Sequence, residues 1–290
     1  MANNRKHPTV ALIYDFDGTL SPGNMQEFGF IQAIGKTPEE FWKKSADISR
    51  GQDASEILCY MKLMIDEARA ADVKLKRDSF RDFGSQIELY KGVREWFDLI
   101  NRYGKERNIN IEHYINSSGL IEMIEGTPIA KEFKNIYACS FLYDVNGVAV
   151  WPGVAIDYTA KTQFLFKINK GVSSIRDNKL VNEYLPEADR PVPFSQMIYF
   201  GDGSTDIPCM RLVKQFGGNS IAVYKPTGKN RAQSKATAER LIKENRVNFA
   251  CPADYSEGSE IHKVVTTIID KIKFDLEFEH LKQQHRNRIR

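Results

Sequence analysis

The chain has 290 residues, 42% of them apolar and 11% aromatic, enough for a sizeable core, which argues against a disordered chain. Its length fits one large domain or two small ones at roughly 100–200 residues per domain. The 41 basic and 38 acidic residues nearly cancel to +3, which argues against a nucleic-acid binder working through bulk charge, and no apolar run approaches the ~20 residues of a membrane helix.

The N-terminus, Met1 to Pro8, is polar and basic, and the apolar stretch after it is too short for the core of a secretory signal. Val10 to Tyr14 is a continuous apolar run without alternation, which predicts a strand covered on both faces. It ends at Asp15-Phe-Asp-Gly-Thr-Leu20. Thr37-Pro38-Glu39-Glu40 predicts a helix start, with Thr as cap, Pro at the first position and Glu at the third. Asp53 and Glu56 are expected to open another helix. Its Ile57, Tyr60, Met61, Met64, Ile65 and Ala68 fall at i, i+3, i+4, i+7, i+8 and i+11, a stripe read as core.

From about Val93 helices and strands alternate. A helix near 93–102 precedes a strand over 111–115, which ends at Asn116-Ser-Ser-Gly119. Another helix leads to a strand near 136–141, and Asp144-Val-Asn-Gly-Val148 reads as a type I′ hairpin. A helix is expected over about 159–169, then a loop-rich insert with Pro186, Pro191 and Pro193. The strand Met197 to Phe200 ends at Gly201-Asp-Gly-Ser-Thr-Asp206. A short strand over 221–224, a helix near 231–243, an apolar segment over 247–250 and a long C-terminal helix with a basic tail complete the chain. Strands alternating with helices predict an α/β fold with a mostly parallel sheet, whose ligands sit beyond the carboxyl ends of the strands.

The four cysteines, Cys59, Cys139, Cys209 and Cys251, have no Cys-x-x-Cys spacing and read as reduced, buried thiols of a cytosolic protein. The five histidines show no metal-ligand spacing. His113, inside a strand, reads as a satisfied core or edge histidine.

Three of the strands end in polar groups at one edge. Asp15 and Asp17, just past a buried strand, are like charges that disfavour joint ionisation. A bound cation relieves this, and oxygen-only ligands favour Mg²⁺. Asp202 and Asp206 add carboxylates at the same edge, although Asp206, ahead of Pro208 and a helix, also fits a cap. Ser117 and Lys161 could supply donors to an anion. Ser118 competes with Ser117, and Lys167 and Lys170 compete with Lys161. A carboxylate nucleophile, Mg²⁺, a hydroxyl and an ammonium together suit phosphoryl transfer.

Across roughly Val10 to Tyr224 the sequence resembles the haloacid dehalogenase-like (HAD) hydrolases. Asp15-Phe-Asp-Gly-Thr-Leu20 matches the first motif, DxDGT[LV], and Gly201-Asp-Gly-Ser-Thr-Asp206 the fourth, GDGxTD. Ile115-Asn-Ser-Ser-Gly119 is similar to the second, and Lys161 to the third-motif lysine. The form of the fourth motif is nearest the phosphoserine-phosphatase-like branch. The resemblance implies a Rossmann-like core over 1–20 and 91–290 and a helical cap over 21–90, inserted after the first strand. It implies that Asp15 attacks phosphorus to form an aspartyl-phosphate, Asp17 acts as acid and base, Ser117 hydrogen-bonds the phosphoryl group and Lys161 offsets its charge. Mg²⁺ is implied on the carboxylates of Asp15 and Asp202 and the backbone carbonyl of Asp17, with Asp206 behind them or bound through water. Asp17 distinguishes phosphatases and phosphomutases from the dehalogenases and pump ATPases.

The expected activity is therefore Mg²⁺-dependent hydrolysis of a small phosphorylated metabolite in the cytoplasm, without nucleic-acid or membrane partners. A phosphomutase and a non-catalytic phosphate-sensing scaffold are the alternatives. Asn24 stands where phosphoserine phosphatases carry a glutamate, the nearest being Glu27, and this departure counts against phosphoserine as the substrate.

Overall fold

A computed structural model describes residues 7–288. Its seven strands are β1 (Thr9–Tyr14), β2 (Asn110–Leu120), β3 (Asn135–Tyr143), β4 (Ala149–Val154), β5 (Met197–Gly201), β6 (Asn219–Tyr224) and β7 (Phe249–Pro252). They form one sheet in the order β4-β3-β2-β1-β5-β6-β7. Every pairing is parallel except the β3–β4 hairpin. β1 and β5 are buried along their whole length and β6 except at its ends, as expected for strands covered on both faces, while β2 and β3 are buried over their middles.

Register sets the site. Tyr14, the last residue of β1, pairs with Ile115 on one side and Phe200 on the other. The residues just past those positions, Asp15, Asn116 with Ser117, and Gly201 with Asp202, therefore come out side by side. The Asp15 N–H still donates to the Phe200 carbonyl at 2.9 Å, so the first motif leaves the sheet anchored.

Four helices lie between β1 and β2 before the last crossover helix: α1 (Phe30–Ala33), α2 (Pro38–Gln52), α3 (Glu56–Ala70) and α4 (Arg77–Ser85). α5 (Val93–Lys105) then leads into β2. The start of α2 matches its sequence signature: the Thr37 hydroxyl accepts from the Glu40 N–H, and the Glu40 carboxylate accepts from the Thr37 N–H. Asp53 does not open α3. It sits in the left-handed region at φ 48° and ends α2, while Ser55 caps α3. The stripe on α3 is buried except for Ile57, which is half-buried. These helices share one continuous apolar cluster with the sheet, and Phe80 of α4 stacks on Phe141 of β3 at 5.4 Å. The segment between α3 and α4 also docks on the hairpin, the Ala149 N–H donating to the Leu75 carbonyl.

The remaining helices are α6 (Ile121–Glu125), α7 (Thr162–Lys170), α8 (Asn178–Asn182), α9 (Ile207–Gln215), α10 (Arg231–Lys243) and α11 (Glu260–Arg288). Two further expectations are corrected. β2 runs on through the second motif to Leu120, with an irregular register after Asn116, because the chain stays extended there beside β3. The hairpin turn is not type I′: only Gly147 has positive φ, at 73°. The Asp144 carboxylate accepts from the N–H groups of Asn146 and Val148, so the turn is held by an aspartate side chain and one left-handed glycine. All four cysteines are free and buried.

Candidate active site

A cavity of about 570 Å³ lies between the carboxyl ends of β1, β2 and β5 and the helical insert. Asp15, Asp17, Ser117, Ser118 and Asp202 line it from the strand side, and Trp42, Ile57 and Tyr60 from the helices. It stands where β1 is flanked by β2 and β5, the switch point of the sheet order, which is where ligands of such sheets bind.

The structure brings Asp15, Asp17, Ser117, Lys161, Asp202 and Asp206 together at this edge. Lys161 comes from a 3-10 turn, Tyr158–Lys161, that runs into α7. Its Nζ lies 3.1 Å from Asp15 Oδ2 and 2.7 Å from Asp206 Oδ1. The competing lysines point elsewhere. Lys167 donates to the carbonyls of Ser174 and Asp177, and Lys170 to those of Val181 and Glu183. The other oxygen of Asp15, Oδ1, accepts from the Phe16 N–H at 2.8 Å. Asp17 Oδ1 accepts from the Met25 N–H at 2.9 Å, so the first residues of the insert fix that carboxylate.

The two serines differ in their partners. The Ser117 hydroxyl accepts from the Gly119 N–H at 3.0 Å and keeps its proton to donate. Ser118 is tied through its carbonyl, which accepts from the Tyr60 hydroxyl of α3 at 2.7 Å. Gly18 has φ +74°, and a Cβ there would come within 2.1 Å of Asp202 Oδ2. Only glycine lets the first motif turn this tightly against the carboxylate of the fourth.

Asp206 stands at the N-cap position of α9, but its side chain makes no capping bond there. Its Oδ1 accepts from Lys161 and, at 2.9 Å, from the Tyr199 hydroxyl, while Oδ2 faces the Gly203 N–H. Tyr199 and Asn116 are functional neighbours that the sequence reading missed. The Asn116 amide donates to the Lys161 carbonyl at 3.0 Å and so holds the turn that carries the lysine. Tyr199 lies inside an apolar strand, and Asn116 stands in the second motif, where nothing local marks its bond to the distant Lys161 turn. The reading also missed Lys225 and Asn230, which bring the loop after β6 to the cavity wall. Glu27 lines the cavity too, its carboxylate accepting from the Asn24 amide and the Trp42 indole N–H. Asn24 and Glu27, weighed separately in the sequence, are thus one hydrogen-bonded pair.

Electrostatically, four carboxylates, those of Asp15, Asp17, Asp202 and Asp206, gather around one ammonium. Burial, then repulsion from Asp206, pushes the Asp15 carboxyl up to about 7, with Lys161 and the Phe16 N–H pulling the other way. Burial and the neighbouring Asp15 raise Asp17 well above the ordinary carboxylate range. Asp202 is raised as well, by burial and then by Asp206 and Asp15. Burial works against the charge of Lys161, but Asp15 and Asp206 outweigh it and keep it an ammonium. Carboxyl oxygens of Asp15, Asp202 and Asp206 all lie within 4.8 Å of one another. An oxygen-rich, mutually repelling set of this kind fits a hard divalent cation, whose charge would restore the ionised forms.

The family described as haloacid dehalogenase-like hydrolase matches residues 12–211. An uncharacterized protein of Borreliella burgdorferi is 27% identical over 286 residues, covering 89% of this chain and 96% of its own. Among solved structures, a substrate-bound phosphoserine phosphatase superposes with a TM-score of 0.54 at 15% identity, over 89% of this chain and 98% of its own. A HAD-family hydrolase of Salmonella enterica serovar Typhi gives a TM-score of 0.57 at 13% identity, over 90% of this chain and 72% of its own. At these identities the two structures speak for the fold.

Proposed function

The chain belongs to the haloacid dehalogenase-like hydrolases, and on that premise we propose that it is a Mg²⁺-dependent phosphatase acting on a small phosphorylated metabolite in the cytoplasm. The observation that carries this reading is the Asp15 carboxylate on the floor of the cavity, one oxygen beside the Lys161 ammonium, with Asp17 and Ser117 lining the same cavity.

In this reading an Asp15 oxygen attacks phosphorus, the bond from phosphorus to the leaving oxygen breaks, and Asp17 passes its proton to that oxygen. A water then attacks the phosphorus of the aspartyl-phosphate and gives its proton to Asp17, and the bond to Asp15 breaks. Burial, then repulsion from Asp15, raises the Asp17 carboxyl, which favours the protonated form a general acid requires. Ser117 donates its free proton to a phosphoryl oxygen, and Lys161 balances the charge that Asp15 passes to the phosphoryl group. The carboxylates of Asp15 and Asp202 and the carbonyl of Asp17 would hold Mg²⁺, which supplies charge neutralisation for the transferring group. Asp206 positions Lys161 and is the backing carboxylate of the set.

Residues 21–90 serve as the cap. Helices α2 and α3 stand over the strand ends, where Trp42 and Tyr60 wall the cavity and restrict access to Asp15. A volume of about 570 Å³ suits a metabolite rather than a folded protein. Four free, buried cysteines fit a reducing compartment, and among the described residues no helix is long and apolar enough to cross a membrane.

The test is hydrolysis of a panel of small phosphomonoesters and of a folded phosphoprotein, with and without Mg²⁺, beside calorimetric titration of Mg²⁺ into the protein. Mg²⁺-dependent turnover with highest efficiency on a small ester is expected. Metal binding without turnover of any ester would point to the phosphate-sensing alternative, and transfer of the phosphoryl group to a second hydroxyl of the substrate to a mutase.

A further inference from the structure

The last helix is built in two unlike halves. Up to Ile272 it packs on the body through Ile261, Val265, Ile268, Ile269 and Ile272, and Asp270 accepts from the Tyr103 hydroxyl of α5 and the Arg107 guanidinium just past that helix. Beyond that point every described side chain except those of Lys273 and Leu276 is exposed, through to Arg288. This second half still carries an apolar stripe. Phe274, Phe278 and Leu281 are 66%, 51% and 51% exposed and fall at i, i+4 and i+7, with His285 next on the same face. The two phenylalanine rings already stack, 6.3 Å apart and 10° from parallel.

Its charges are sorted along the axis. Asp275, Glu277 and Glu279 form an acidic run, and Lys282, His285, Arg286 and Arg288 a basic one. All three acids have local partners, in Lys271, Lys273 and Lys282, whereas among the described residues neither Arg286 nor Arg288 has an acidic partner. A parallel neighbour of the same kind would set like run against like. An antiparallel neighbour sets each acidic run against the basic run of the other, with the apolar stripes facing at the centre. The segment is therefore complementary to itself about a two-fold axis near Phe278 and Leu281, the geometry of an isologous contact that closes at two copies.

We propose that two copies of this chain pair through residues 274–288 of α11, antiparallel, with Phe274, Phe278 and Leu281 at the seam. Three partly exposed side chains amount to a few hundred Å² a copy, below the roughly 800 Å² per partner of stable complexes. The pairing is accordingly weak, with a dissociation constant on the order of 10–500 μM, and electrostatic in its orientation. A basic, amphipathic helix end could instead lie on an anionic membrane, but the acidic run beside the stripe opposes that occupant.

Sedimentation equilibrium of the full chain tests this. The expected average mass rises from 33.2 kDa towards twice that value with concentration. Phe278→Glu, at an exposed position that no core contact needs, should weaken pairing at least tenfold. A chain with Asp275→Lys, Glu277→Lys and Glu279→Lys, and another with Lys282→Glu, Arg286→Glu and Arg288→Glu, should each stay single alone and associate when mixed. Orientation is read from disulfide formation: a 275-to-282 bond between Asp275→Cys and Lys282→Cys chains should exceed either like-to-like bond. A monomer at every concentration up to the millimolar range, a dimer that survives Phe278→Glu, or co-sedimentation of the monomer with phosphatidylserine vesicles would each overturn the proposal.

Discussion

The Lys161 ammonium lies 2.7 Å from Asp206 Oδ1, and both side chains are completely buried. Asp15 shares the same ammonium at 3.1 Å. One positive charge thus holds two carboxylates that would otherwise repel in a site shielded from water. Removing a partner from a buried pair leaves uncompensated charge, at a cost of about 3–5 kcal/mol. Lys161→Met should be destabilised by that order at pH 7.5 in urea unfolding. The loss should be smaller at pH 5.5, where the abandoned Asp15 carboxyl, raised to about 7, takes up a proton. Asp206→Asn should cost less, since Lys161 keeps Asp15, and adding Asp206→Asn to Lys161→Met should recover part of the loss. A loss for Lys161→Met that is equal at both pH values would mean that its packing, not its charge, matters.

Asp15→Asn should lose turnover while its metal-free melting temperature holds or rises. The sign follows from the raised carboxyl. With a folded value of about 7 above the unfolded value of about 3.9, the folded state holds a proton that the unfolded state releases in between. Stability therefore falls as pH rises through that window, and the penalty is complete above it. An amide at this position removes the penalty and keeps the shape. Hydrolysis by a verified, Mg²⁺-loaded Asp15→Asn protein would remove Asp15 as the nucleophile.

Asp202 and Asp206 should part company in metal binding. Both oxygens of Asp206 are engaged, by Lys161, Tyr199 and the Gly203 N–H, whereas Asp202 is partly open at the cavity wall. In calorimetric titration Asp202→Asn should weaken Mg²⁺ binding by about tenfold or more, in line with the loss of a direct carboxylate ligand. Asp206→Asn should weaken it less. The reverse order would make Asp206 the ligand and Asp202 the support.

Much of this site was legible because its parts are local. An uninterrupted apolar run as short as Val10 to Tyr14 reads as a covered strand, and polar groups at its end then lie at the sheet's carboxyl edge. The capping box of Thr37 and Glu40 is local in the same way. What escaped depends on contacts between distant residues. Asn116 reaches the Lys161 carbonyl, and Tyr60 reaches Ser118, only because the fold brings their elements together. Asp53 was misplaced because aspartate serves both a helix start and a left-handed stop, and Ser55 beside it won the cap. Lys161 could not be told from Lys167 and Lys170 by spacing, because only the turn before α7 faces the strand ends.

His113 should give the fold a pH dependence of its own. It is held in a chain of hydrogen bonds from the Trp96 indole N–H to the Tyr14 hydroxyl, from that hydroxyl to His113 Nδ1, and from Nε2–H to Asn101. The tautomer follows from those partners, and burial lowers the ring's pKa to about 3. Below the unfolded value of about 6.5 the unfolded chain gains a proton that the folded ring refuses, so stability is complete above that pH and falls by about 1.4 kcal/mol per unit beneath it. His113→Gln should be less stable at pH 7.5 through its lost bonds, but the gap to the native chain should narrow between pH 6.5 and 5. A gap that stays constant would mean that the ring protonates in place.

Asp17→Asn separates acid catalysis from metal binding. The Met25 N–H fixes Asp17 Oδ1, and burial raises the carboxyl, which favours the form that gives a proton to a leaving oxygen. Removing a positioned acid costs about 10²–10⁴-fold in rate. An alkoxide leaving group needs that proton, whereas nitrophenolate departs almost without it. The loss in kcat/KM should therefore be large for an alkyl phosphate and small for nitrophenyl phosphate, while Mg²⁺ binding, which would use the Asp17 carbonyl rather than its side chain, changes little. An equal loss on both esters, together with weakened Mg²⁺ binding, would assign the carboxyl to the metal instead of to the proton.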